Sequence, residues 1–409
     1  MSIRRVAMFS LHTSPLAQPG TGDGGGMNVY IRSLASALAR AGVECDVLTR
    51  ADRHGVPAVV SPERGVRVVH LDAGPRRPVP KDELLELHDE LVDAAARWLG
   101  RRGPVDVLHA NYWVSGAVAH TLKHRLGLPL VTTFHTLALA KHEAGIHDDP
   151  TSRTETEASI VRCSDGVVVS TAHERDLLVD GYGAAGDRVE IIPPGVDHTV
   201  FRPGTGDVPR VRRHWRVGDA PVLLVVGRIQ PLKGIDLAIR SLASLDDPRA
   251  NLVVVGGPSG PEGESELDRL HRLAGDLGIA DRVRFEPPRA HEQLAAYYRA
   301  ADVVLVPSRA ESFGLVALEA AACGTPVVAT AVGGLRSVVA HGESGFLVED
   351  RDPLAFADRI RDVLADPERA ADMRARAVTG AARFTWSMAA ARLRRLYADV
   401  PARELVRCT

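Results

Sequence analysis

Short, unbroken runs of valine, isoleucine and leucine recur along the chain, each followed by a segment of helical spacing, and this alternation restricts the fold more than anything else. Residues 221–227 (PVLLVVG), 251–257 (NLVVVGG), 302–308 (DVVLVPS) and 326–330 (PVVAT) carry apolar side chains at consecutive positions, not at every second one. A strand of that kind is buried on both faces, which means a parallel sheet covered by helices on each side. VRFEPP (283–288) and GFLVE (345–349) add two more strands, between predicted helices over 234–245, 264–278, 291–301 and 315–323. The first half repeats the pattern. Strands are expected over 3–10, 43–49, 66–72, 106–111, 129–135, 165–171 and 189–195, with helices opening near Asn28, over 81–99 and after residue 111.

The alternation is interrupted once, by a Pro- and Gly-rich stretch over 193–212. The expected fold class is therefore α/β, with two doubly wound units in series facing a ligand cleft. The first spans 1–203 and the second 204–382. The tail from Pro353 reads as mainly helical, and its last piece, 383–409, contains Phe384-Thr385-Trp386 and is expected to cross back to the first unit. In such sheets ligands bind beyond the carboxyl ends of the strands.

Charge excludes some partners. Lys+Arg number 50 against Asp+Glu 52, so there is no basic field for nucleic acid. Only Lys81, Lys123, Lys141 and Lys233 are lysines, the other basic residues being arginine, so each lysine is a position worth explaining. No run of 18 apolar residues exists to span a membrane, and the N-terminus reads as a first strand and not as a leader. The four cysteines, Cys45, Cys163, Cys323 and Cys408, are far apart and lack CxxC spacing, which suggests reduced, buried thiols in a cytoplasmic protein.

Four motifs carry chemistry, each just after a predicted strand. Residues 20–26 hold five glycines before a helix, a backbone suited to approach an anion. The segment formally contains GxGxxG, but it starts ten residues after the strand, and the next strand ends in Thr49-Arg50 without a ribose-binding acid, against a redox dinucleotide. Next, 227–234 (GRIQPLKG) places Arg228 and Lys233 around a turn that opens a helix, a pair of cations fit for a diphosphate. In 307–319, Glu311 and Glu319 are eight residues apart, and Phe313, Gly314 and Leu315 present N–H groups at a helix start. Finally, His135 ends an apolar strand, where it can contact a substrate or move a proton. Tyr112 and Lys81 are expected on the same rim.

These residues together resemble the retaining GT-B glycosyltransferases of family 4. The Glu311–Glu319 pair matches the family's E-x7-E motif, and GRIQPLKG, PPGVD, PSRAESFGLVALEA and GTPVVAT match in order. Within that family, HTSPLAQPGTGDGGGMNVYI, NYWVSG and GGPSGP look like the members that transfer N-acetylglucosamine to an inositol phosphate in mycothiol biosynthesis. The resemblance implies a UDP-sugar donor as substrate, no cofactor, a small polar acceptor, and compatibility with a homodimer. On the donor side it assigns Gly25, Gly26, Arg228, Lys233, Arg289, Glu311, Phe313, Gly314, Leu315 and Glu319, with Arg228 and Lys233 on the diphosphate, Arg289 near the base, Glu311 on sugar hydroxyls and Glu319 on the ribose. Asn28, Lys81, Tyr112, Thr136 and Arg153 fall on the acceptor, and His135 on the transferred sugar. His135, Arg228, Lys233 and Glu311 are the implied catalytic set.

The segment FHTLALAKHEAGIHDDPTSRTETEA departs from the family pattern, which leaves open a non-phosphorylated aminocyclitol or a small thiol as acceptor. A redox or nucleotide-binding role is the remoter alternative. Retention without a carboxylate nucleophile favours front-face substitution, the leaving phosphate taking the acceptor's proton. No DxD sits in a suitable loop, since Asp350-x-Asp352 comes too late, so transfer is expected to need no metal. Hinge closure of the two domains over the donor is also expected.

Overall fold

The computed structural model describes residues 3–81, 83–146, 150, 152–260 and 262–408. Residues 147–149 and 151 of the divergent segment, and Pro261 of GGPSGP, lie outside the described residues. The chain divides into two compact units. Unit 1 comprises Met1–Ala17, Met27–Pro193 and Trp386–Thr409, and unit 2 comprises Gln18–Gly26 and Pro194–Thr385. The division thus falls ten residues before the expected 203/204. The glycine loop, although early in the chain, is part of unit 2.

In unit 1, strands β1 (Arg5–Phe9), β2 (Glu44–Arg50), β3 (Val59–Glu63), β4 (Val66–Leu71), β5 (Val107–Asn111), β6 (Leu130–Thr133), β7 (Gly166–Val169) and β8 (Val189–Ile191) form one sheet in the order β3-β4-β2-β1-β5-β6-β7-β8. All neighbours are parallel except β3 and β4. β3 is absent from the sequence expectation. It is a half-exposed edge strand whose Ser61, Pro62 and Glu63 interrupt any apolar run, and Pro is tolerated at such an edge.

The consecutive apolar residues divide between the two faces as the pattern requires. Val6 and Met8 pack with Ile31, Leu34 and Leu38 of the helix Gly26–Arg40 and with Trp386, Leu393 and Tyr397 of the helix Trp386–Asp399. Ala7 and Phe9 face Leu91, Val92 and Leu122 on the other side. Each fully buried aliphatic side chain contributes about 1.5–3 kcal/mol of transfer free energy. The returning helix is therefore part of the first unit's core, and His109 of β5 bonds the Tyr397 hydroxyl at 2.5 Å.

In unit 2, β9 (Val222–Val226), β10 (Asn251–Val255), β11 (Val283–Glu286), β12 (Val303–Val306), β13 (Val327–Thr330) and β14 (Gly345–Val348) form a wholly parallel sheet in the order β11-β10-β9-β12-β13-β14. Leu223 and Val225 face the helices Ile235–Ala243 and Pro353–Leu364, while Val222 and Leu224 face Leu294–Ala300 and Leu315–Ala322. Asp352 caps the helix it precedes, accepting from the N–H groups of Leu354 and Ala355.

The helices Ala138–Glu143 and Ser152–Cys163 follow β6, where the sequence pattern predicts neither. One expectation is corrected: not all four cysteines are unpaired. Cys45 and Cys323 are free and buried, but Cys163 and Cys408 are joined in a disulfide across 245 residues of sequence. Only the return of the tail to unit 1 brings that pair together.

Candidate functional site

In both sheets the strand order reverses beside the central strand, between β1 and β5 in unit 1 and between β9 and β12 in unit 2. Such a switch point leaves an open crevice at the carboxyl ends, where ligands bind. Arg228 and Lys233 follow β9, Glu311 follows β12 and Tyr112 follows β5, at these two places, and each unit is described by itself.

In unit 2, β9 runs out into Gly227 and Arg228. A Cβ on Gly256, just after β10, would stand 1.8 Å from the Gly227 carbonyl oxygen, so only glycine allows this approach of the two strand ends. The glycine loop is fastened here by its backbone. The N–H of Gly257 donates to the Gly20 carbonyl at 3.1 Å, and the Ser259 hydroxyl donates to the Gly22 carbonyl at 2.6 Å. Arg228, half-buried, donates from Nη1 to Ser259 Oγ at 3.3 Å. A Cβ on Gly25 would lie 3.2 Å from Arg228 Nε, and one on Gly26 would lie 3.5 Å from Leu315. Gly25, Gly26, Arg228 and Leu315 are thus brought together, with the backbone of Gly25 in close approach to the guanidinium.

Lys233 closes the 3-10 turn Pro231–Lys233, and its Nζ donates to Glu311 Oε2 at 2.7 Å. Ser308 Oγ donates to the same oxygen at 3.3 Å. Gly314, at φ 101°, turns the chain into the helix Leu315–Ala322, so the N–H groups of Phe313, Gly314 and Leu315 stand where the helix itself offers them no partner. Two cations, a carboxylate and a helix start therefore share one strand-end region.

Glu319 and Arg289 are held more firmly than the sequence suggests. Glu319 is 5% exposed, with one oxygen 2.7 Å from His291 Nε2 and the other accepting from the Tyr298 hydroxyl at 2.8 Å. Any further hydrogen-bond donor to Glu319 has to share or displace one of these. Arg289 donates to Glu286 at 2.6 Å and lies 5.8 Å from the Tyr297 ring centroid. Burial pushes the Glu286 carboxyl up, but hydrogen bonds from His214 and Arg289 outweigh it and hold the carboxyl low. Gln18 of the glycine loop donates to the Arg289 carbonyl, which ties this corner to the loop.

Unit 1 shows backbone strain at the corresponding strand ends. Tyr112, after β5, has φ 76° and ψ 157°, and His135, after β6, has φ 63°. Among the described residues only Arg216 joins them as a non-glycine at positive φ, and it ends a helix. Such conformations cost about 1–3 kcal/mol each and concentrate at functional sites. The His135 ring meets Asn111 Oδ1 through Nε2 at 2.9 Å and stands edge-on to Tyr30 at 4.8 Å. Burial, with a smaller contribution from His109, pulls the His135 pKa down to about 3, so the imidazole is neutral near pH 7.

Tyr112, Thr136 and Arg153 also come together. Arg153 is 1% exposed, lies 5.0 Å from the Tyr112 ring centroid, and donates to the Thr136 carbonyl at 2.6 Å. Its Nε pairs with Glu157 at 2.8 Å. Lys81 stands half-buried before the turn Glu83–Leu87, whose Leu84 packs in the cluster containing Tyr112. Asn28 directs its amide nitrogen to Thr13 Oγ1 at 2.9 Å and the Ser14 carbonyl at 2.6 Å.

Sequence reasoning missed the supporting residues His109, Asn111, Ser259, His291 and Tyr298. Glu157 had a signal, the i,i+4 spacing from Arg153. The others depend on which strands are neighbours.

Residues 209–379 match the family described as glycosyl transferases group 1, and residues 25–195 match the glycosyl transferase 4-like domain. The chain is 47% identical over 397 residues to a D-inositol 3-phosphate glycosyltransferase of Acidothermus cellulolyticus, covering 94% of this chain and 87% of that one. A protein of the same name from Frankia alni is 47% identical over 399 residues, covering 95% and 97%. Among solved structures, the sucrose-phosphate synthase of Thermosynechococcus elongatus has a TM-score of 0.90 at 34% identity, covering 98% of this chain and 99% of that one. Anabaena Alr3699/HepE, in complex with UDP and glucose, has a TM-score of 0.78 at 21% identity over 97% of this chain and all of that one, a likeness of fold.

Proposed function

Because the chain belongs to the retaining GT-B glycosyltransferases of family 4, we propose that it transfers N-acetylglucosamine from UDP to an inositol phosphate. The observation that carries the donor half is the pairing of Arg228 with the glycine loop and of Lys233 with Glu311 at the unit 2 switch point. The acceptor class rests on the relatives' printed name, together with the joining of Tyr112, Thr136 and Arg153 in unit 1.

The proposed chemistry is front-face substitution. The bond from the anomeric carbon to the diphosphate oxygen breaks first, and the acceptor hydroxyl attacks from the same side. The β-phosphate oxygen takes the hydroxyl proton, so no protein base is consumed. Arg228, Lys233 and the N–H groups of Phe313, Gly314 and Leu315 stabilise the charge growing on the diphosphate, as donors aimed at a developing anion do. His135, neutral and braced by Asn111, positions the sugar. Glu311 accepts from sugar hydroxyls.

Mass spectrometry of products from purified protein, UDP-N-acetylglucosamine and a panel of cyclitol phosphates tests this directly. A product heavier than the acceptor by one N-acetylhexosamine residue is expected. Stabilisation by NAD alone, with no sugar transfer, would refute it. Lys81→Ala should raise acceptor KM and leave donor hydrolysis nearly intact. An equal loss on both would exclude the phosphate role of Lys81.

A further inference from the structure

At the far end of the helix Trp113–Leu126, four potential metal ligands meet. His124 is eleven residues beyond Trp113, about 16 Å along the helix from the strained strand end. His120 and His124 lie one turn apart on that helix, and their rings are 5.1 Å apart. Cys163 ends the helix Ser152–Cys163, and Cys408 arrives on the C-terminal tail. His120 Nε2 is 3.3 Å and His124 Nε2 is 2.9 Å from Cys408 Sγ. All four donor atoms lie within 4.8 Å of one another.

A disulfide alone does not account for this arrangement. A disulfide sulfur is a weak acceptor, yet two imidazole nitrogens converge on one. Two imidazoles and two thiolates are the donor set of a closed, tetrahedral zinc site, and His-x3-His is the usual helical spacing for its histidine half. With Zn–S about 2.3 Å and Zn–N about 2.0–2.1 Å, donor atoms of such a tetrahedron stand roughly 3.3–3.8 Å apart, within the spread found here.

The surroundings are built to hold the ligands in place. Lys123, itself buried, donates from Nζ to the Cys163 carbonyl and to Asp165, both at 2.7 Å. The other oxygen of Asp165 accepts from the N–H of Val406 at 2.7 Å, which fixes the tail two residues before Cys408.

We propose that, with the cysteine pair reduced, His120, His124, Cys163 and Cys408 bind one Zn2+ as a structural site that fastens the tail to unit 1. Reduction by a thiol adds two electrons and two protons to the pair and leaves the reductant as its own disulfide. Zn2+ then displaces the two thiol protons and takes the imidazoles as neutral ligands. The metal keeps its oxidation state throughout, and it takes no part in sugar transfer.

The test uses the full chain, reduced with a phosphine, incubated with Zn2+ and desalted, with metal measured by mass spectrometry and thiols by titration. About one zinc per chain is expected. Cys408→Ser and His124→Ala should weaken zinc affinity at least about 100-fold, since even supporting residues of such sites cost 10–100-fold. Both positions are at least partly exposed, so the variants keep the fold, and circular dichroism checks this. Cobalt should give tetrahedral visible bands with a thiolate charge-transfer band, lost in Cys163→Ser. Reduced protein that retains almost no zinc would overturn the proposal, as would zinc uptake unaffected by Cys408→Ser.

Discussion

Replacing Lys233 by Met removes a cation and keeps most of the stem. Lys233 Nζ is 2.7 Å from Glu311 Oε2, and the two side chains are 23% and 19% exposed. Losing a partly exposed pair of this kind costs about 1 kcal/mol of stability at most. The effect on rate should be larger. Bond breaking adds about one negative charge to the diphosphate, and a cation about 4 Å away at an effective dielectric near 20 is worth roughly 4 kcal/mol. The carboxylate of Glu311 takes back part of that, and so does solvent at a side chain that is a fifth exposed, leaving roughly 2–3 kcal/mol. This corresponds to a fall of roughly 30- to 150-fold in kcat. Measuring UDP release at saturating donor and acceptor gives kcat, and a thermal melt gives stability. A variant within threefold of the parent in kcat would refute the charge-stabilising role. A melt lowered in proportion to the lost activity would show that only the fold had suffered.

Other outcomes follow from the same geometry. His109 is fully buried, and burial pulls its pKa down to about 3, so the unfolded chain binds a proton near pH 6.5 that the folded protein refuses. This histidine should therefore lower stability by about 1.4 kcal/mol per unit as pH falls below about 6.5, and denaturant titrations of His109→Gln should show a shallower slope there. Gly256→Ala places a Cβ 1.8 Å from the Gly227 carbonyl oxygen, so it should cost at least about 3 kcal/mol, or roughly 6–12 °C in the melt. An unchanged midpoint would mean that the strand ends can part freely. Transfer assayed in excess chelator should continue undiminished. A loss reversed by added Mg2+ would point to a metal on the diphosphate.

The parallel sheets were legible because their strands are buried on both faces, which imposes short runs of consecutive aliphatic residues alternating with helical segments. β3 was not, because an edge strand with Ser61, Pro62 and Glu63 leaves no apolar run to read. At the site, sequence located the residues that follow strand ends, Arg228, Lys233, Glu311, Tyr112 and His135, since position in a doubly wound unit already places them. It did not locate what holds them. His291 and Tyr298 reach Glu319 from the adjoining helix, and Ser259 reaches Arg228 from beyond β10, contacts that exist only after the strands are ordered. The same limit hid the Cys163–Cys408 pair.

The helix Trp386–Asp399 has a consequence for the ribosome. Trp386, Leu393 and Tyr397 fill one face of the first sheet, so unit 1 lacks a wall of its core until the segment Trp386–Asp399 has emerged. Unit 2, apart from the glycine loop, is continuous from Pro194 to Thr385 and is complete sooner. At roughly 5–20 residues per second, the first half waits about 10–40 s between its own synthesis and its last helix. During that interval an unfinished parallel sheet is exposed, and nascent-chain chaperones have reason to hold it.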